Sequence, residues 1–107
     1  MIYELRKYEV AEGRMDELKE RFHLHTIRLF KKHGITPVLF LGISESNPSV
    51  FSYVVSFPDK TAQTDAWSSF IEDQERVAIW DESNKNGKLV KDIHSVNFYE
   101  APLDLLS

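Results

Sequence analysis

Polar and apolar side chains alternate along YELRKYEV at residues 3–10. This is the two-residue period of a β-strand, on which successive side chains point to opposite faces. One parity carries Glu4, Arg6 and Tyr8 and the other Tyr3, Leu5 and Lys7. After the turn-forming AEGR at 11–14 the period becomes helical. Met15, Leu18, Phe22, Thr26, Leu29, Phe30 and His33 fall in one arc, with Lys19, Glu20 and Lys31 mostly outside it. Leu24 and Ile27 lie away from that arc. Gly34 follows where a left-handed residue closes a helix. ITPVLFLGISES at 35–46 is β-branched and apolar and reads as a second strand with a bend at Gly42. SNPS at 46–49 signals a turn, and VFSYVVSF at 50–57 alternates again, so the two runs form a hairpin. A second helix starts at Asp59 and places Ala66, Trp67, Phe70 and Ile71 on one face. QERVAIWDESN adds a shorter amphipathic piece with Val77 and Trp80. NKNG at 84–87 breaks it, and HSVNFYEA at 94–101 reads as the last strand.

The order β, α, β, β, α, β is that of the ferredoxin-like split βαβ arrangement, an α+β fold with a four-stranded antiparallel sheet. Both helices then cover one sheet face and leave the other open. Strands two to four carry large apolar side chains on both parities, and an exposed apolar sheet of that area is a sticky patch. A second copy packed face to face removes it, which predicts a homodimer built as an α+β barrel. In that arrangement Tyr3 and Leu5 are expected to face the helices, while Glu4, Arg6 and Tyr8 face a cavity between the subunits, Arg6 pairing Glu4 because a buried charge must be paired. The alternative is an edge strand whose polar face is wet.

Length and charge narrow the partners. The 107 residues fit a single domain, 1–107, and a net charge of -4 gives no footprint for nucleic acid or an anionic membrane. The chain has no Cys, so disulfides and thiolate chemistry are excluded. No apolar run approaches the roughly 18 residues that span a bilayer, and a cytoplasmic protein is expected. His23 and His25 diverge by about 200° on a helix and cannot grip one ion together. No metal or other cofactor is expected. No nucleophile elbow or phosphate-binding glycine loop is present. The remaining chemistry is a cavity of more than roughly 300 Å³ holding a small aromatic or anionic molecule. Its candidate ligand-binding residues are Glu4, Arg6, Tyr8, Phe40, Tyr53 and Trp67, with Arg6 and Tyr8 as polar hooks and the aromatics as walls.

YELRKYEVAEGRMDEL at 3–18 resembles the opening of the NIPSNAP family, a strand of the form E-L-R-x-Y followed by a Gly and a helix starting M-x-E/D. DQERVAIW at 73–80 and FYEAPLDLLS at 98–107 are similar to its second helical region and closing strand. Gln74 replaces the family's Pro, Arg76 stands where a Trp is expected, and Trp80 comes four residues later. Between 58 and 73 the only basic residue is Lys60, where the family has an Arg-rich helix. The resemblance implies a dimeric α+β barrel related in fold to small monooxygenases, muconolactone isomerases and haem-degrading enzymes, in a family without a defined reaction. The leading expectation is therefore a homodimer that binds a small organic ligand. The alternatives are a cofactor-independent monooxygenase or isomerase, in which Glu4 or a His acts as base, and a ligand-free interaction module. The apolar APLDLL at 101–106 is the candidate intersubunit clasp.

Overall fold

The structure, a computed structural model, describes residues 1–100; the APLDLL segment lies outside them. The strands are β1 (Ile2–Val10), β2 (Thr36–Ser44), β3 (Asn47–Phe57) and β4 (Val90–Tyr99). They form one antiparallel sheet in the order β2-β3-β1-β4, the ferredoxin-like order. The hairpin turn is tighter than SNPS suggested, because Ser44 already pairs with Asn47. Pro48 thus lies inside β3, but beyond Val50, where β1 pairing ends, so its missing N–H deprives no neighbour of a bond. Gly42, at φ +69°, sits where the β2–β3 register shifts, and this bulge bends β2.

The first helical segment is interrupted. It comprises α1 (Met15–Arg21), a π-helical turn (Phe22–Thr26) and α2 (Ile27–Lys32). The Thr26 hydroxyl donates to the Arg21 carbonyl at 3.4 Å, spanning the wide turn. A π-turn inserts one residue into the helical phase. Ile27, outside the expected arc, is thereby turned to pack against the core, while Leu24 stays half-exposed. The later helices are α3 (Lys60–Glu72) and α4 (Gln74–Ser83). Asp59 caps α3 by accepting from the Ala62 N–H at 2.8 Å, and Asp73 caps α4 by accepting from the Arg76 N–H at 3.1 Å.

All helices lie on one face of the sheet. Phe22, Leu29, Phe30 and Phe70 from the helices pack on Tyr8, Tyr53, Val55 and Phe57 from the sheet. This corrects the expected orientation of β1. Ile2, Glu4, Tyr8 and Val10 are buried under the helices with Arg6 beside them, whereas Lys7 and Glu9 on the other parity are exposed. The polar row faces inward because α3 brings its partners, Gln63 and Trp67, down onto Glu4. The open face is the more apolar one: Leu5 pairs with Val54 and Val96, Val54 with Leu39, and Tyr3 with Phe98. Leu39, Val96 and Phe98 are each more than half exposed.

Candidate functional site

Glu4 organises the middle of β1. It is 3% exposed, and its Oε1 accepts from Gln63 Nε2 and Trp67 Nε1, both at 2.8 Å. Its Oε2 accepts from Arg6 Nη1 at 2.9 Å. Asn97 on β4 exchanges two hydrogen bonds with the Gln63 amide and fixes its orientation. Arg6 also donates through Nε to the Tyr53 hydroxyl at 2.8 Å, and the Tyr53 and Tyr8 hydroxyls are 2.5 Å apart. The Arg6 guanidinium lies 4.2 Å from the Trp67 ring centre, a cation–π contact. Burial disfavours its charge, but Tyr8, Tyr53 and Glu4 outweigh that and hold Arg6 protonated beyond the ordinary arginine range. Burial, with Tyr8 adding to it, pushes Tyr53 well above the usual tyrosine value.

Beside this row a cleft of about 420 Å³ opens between β1, β4 and the helices. Arg6, Tyr8, Arg21, Trp67, Arg76 and Trp80 shape it, with Lys88 at its lining too. Arg21 and Arg76 both lie against Trp80, 4.3 and 4.8 Å from its ring centre. Among the described residues neither forms an ion pair with a carboxylate. Arg21 donates through Nη1 to the Ser83 hydroxyl at 3.0 Å and to Asn84 Oδ1 at 3.4 Å; Arg76 donates through Nη1 to the Ile71 carbonyl at 3.4 Å. The Nε atoms of both are buried without a hydrogen-bond partner among the described residues. Burial is the main reason that Arg21 is pulled down from the ordinary arginine range to about 10; Tyr8 opposes the shift and the neighbouring Arg76 adds to it. Burial likewise lowers Arg76, against Tyr8 and Asp81. Arg76 is positioned by the cap of α4. Asp73, which accepts its N–H, also accepts from Lys32 Nζ and contacts His33 Nε2, each at 2.7 Å, tying α2 to the start of α4.

Glu4, Arg6, Tyr8 and Trp67 are thus brought together, with Tyr53 as their buried backing. They lie between the sheet and the helices of one chain, not between two sheets as expected. Phe40 is elsewhere: it packs on Phe22 with ring centres 5.4 Å apart and borders a separate recess with Ile35 and Pro37. Sequence reasoning missed Arg21, Arg76 and Trp80. Arg21 sits one turn beyond Leu18, on the rim of the apolar arc, where it reads as an ordinary boundary residue. Arg76 and Trp80 are four apart on a short helix and share a face, a signal that was available. Three groups with metal-ligating side chains, Glu9, Asp92 and His94, bring ligand atoms within 4.8 Å of one another, but all are exposed on the open sheet face, away from the cleft.

The sheet order and the helices on one face define a ferredoxin-like α+β protein. The NIPSNAP family model matches residues 3–102, and the chain belongs to that family. An uncharacterized NIPSNAP domain protein from Burkholderia xenovorans is similar in structure at a TM-score of 0.80 and 12% identity, over 94% of this chain and 95% of that one. A NIPSNAP family protein from Agrobacterium tumefaciens str. C58 is similar at 0.80 and 15% identity, over 94% and 92% of the two chains. An antibiotic biosynthesis monooxygenase is similar at 0.65 and 12% identity, over 95% and 100%. At these identities the likeness is one of fold. No curated protein matches the chain in sequence.

Proposed function

We propose that this NIPSNAP protein is a homodimer, joined through its open sheet faces, and that each protomer binds a small aromatic anion in the cleft between its sheet and α3–α4. The observation that carries the ligand reading is the pair of guanidiniums, Arg21 and Arg76, gathered on Trp80 with no ion-paired carboxylate among the described residues. Two like charges held together in a partly buried site cost free energy unless a counter-charge completes them. An anionic ligand is that counter-charge, and the rings of Trp67 and Trp80 suit an aromatic body. Dimerisation rests on the exposed Leu39, Val96 and Phe98, which form an apolar surface with Leu5 and Val54. Catalysis has less support. Glu4 is taken up by three donors, and the described residues lining the cleft include no carboxylate or imidazole to accept a proton.

The chain contains two tryptophans, Trp67 and Trp80, and both line the cleft, so intrinsic fluorescence reports on it directly. Titration with benzoate is expected to give a saturable change that benzyl alcohol reproduces weakly and benzylamine not at all. Arg76→Gln is expected to weaken benzoate binding by about tenfold or more, the scale of one charge-assisted hydrogen bond. Equal responses to benzoate and benzylamine would contradict the reading.

A further inference from the structure

The hydroxyl chain beneath the cleft has a fixed direction. Tyr53 is fully buried, and its oxygen has two polar neighbours among the described residues, Arg6 Nε and the Tyr8 hydroxyl. Arg6 can only donate, since a guanidinium has no acceptor. If Tyr8 also donated to Tyr53, the Tyr53 proton would be buried with nowhere to go, a costly state. Tyr53 therefore accepts from Arg6 and donates to Tyr8. Glu4, bonded to Arg6 from the other side, locks the guanidinium in the orientation that sets this direction. The Tyr8 proton is left over, no described residue accepts it, and Tyr8 lines the cleft. Tyr8 is also 5.7 Å from the Arg6 guanidinium at its ring centre, so a cation lies close beside the phenol.

We propose that Tyr8 is the cleft's directed hydrogen-bond donor, and that the ligand is an aromatic or conjugated oxyanion whose charged oxygen accepts from the Tyr8 hydroxyl. Tyr53 is a positioning residue that acts through Tyr8. This rests on the anion-binding reading and sharpens it: the Tyr8 donor and the guanidiniums line one cleft, and a ligand without an oxygen acceptor leaves the Tyr8 proton unsatisfied. Carboxylates and phenolates share that chemistry. Hydrogen bonds in such chains strengthen one another, so the incoming bond from Tyr53 makes Tyr8 a better donor.

The test uses 4-nitrophenolate, whose visible absorption moves to shorter wavelength when its oxygen accepts a hydrogen bond, alongside benzoate. The wild-type protein is expected to bind both and to shift the nitrophenolate band. Tyr8→Phe should weaken both by about tenfold or more and leave the bound nitrophenolate band at longer wavelength than in the wild type. Tyr53→Phe should weaken both by about threefold and move the bound band part of the way in the same direction. Because Tyr8→Phe strands the buried Tyr53 proton and could unfold, the double variant Tyr8→Phe/Tyr53→Phe, which removes both hydroxyls, is measured too. It should behave like Tyr8→Phe. A Tyr8→Phe or double variant with wild-type affinity and the wild-type bound band position would overturn the assignment. Failure of the wild type to bind either probe, in contrast, would overturn the anion-binding reading itself.

Discussion

At the scale of single residues, the β1 row shows why alternation alone misassigns a face. Period two separates Glu4, Arg6 and Tyr8 from Tyr3, Leu5 and Lys7, and that division is correct. Which set goes inward depends on partners about sixty residues away, Gln63 and Trp67, whose polar tips cannot be paired with Glu4 from the sequence. Arg6 loses its carboxylate if Glu4 is neutralised. Glu4→Gln is therefore expected to destabilise the fold by about 3 kcal/mol, read as a lower urea midpoint at unchanged slope. Asp73 gives a second residue-scale prediction. Bonds from Lys32, the Arg76 N–H and His33 hold its carboxyl well below the ordinary aspartate value of 3.8. A depressed folded-state value means that stability is fully present above about pH 4 and is lost as pH falls below it. Acid titration followed by circular dichroism should show that loss, and Asp73→Asn should flatten it while keeping a capping oxygen.

Secondary-structure elements were largely legible. Asp59, Gly34 and Gly42 each announced an element boundary or bend, because capping and positive φ depend on a residue's own chemistry. The π-turn after Arg21 was not legible, since FHLHT has no residue that forbids an α-helix. Its consequence, Ile27 turned toward the core, comes from packing against the sheet. The cap of α3 supports Gln63 and Trp67, which in turn hold Glu4. Asp59→Ala is expected to cost about 1 kcal/mol in thermal or urea unfolding, the usual loss of an N-cap.

On the scale of the whole molecule, the sequence signalled that one sheet face was too apolar to leave wet, and Leu39, Val96 and Phe98 stand exposed there. No helix among the described residues is long and apolar enough to cross a membrane. Packing two such faces together buries the patch, and a charge at its centre opposes this. Val96→Lys is expected to shift sedimentation from a dimer to a monomer while leaving helical content unchanged. A monomeric wild-type protein at micromolar concentration would contradict the dimer.

The proposed anion offsets the cost of holding Arg21 and Arg76 together. Removing Arg21 leaves no buried group unpaired, because the Ser83 hydroxyl still donates to the Trp80 carbonyl and Asn84 Oδ1 still accepts from the Leu89 N–H. The most direct measurement is urea unfolding of wild type and Arg21→Met with and without benzoate. Without ligand, the variant is expected to be more stable by about 1 kcal/mol. At benzoate ten times the wild-type Kd, the wild type should gain about 1.4 kcal/mol and the variant almost nothing. A variant that is less stable than wild type and is stabilised equally by benzoate would contradict anion binding at Arg21.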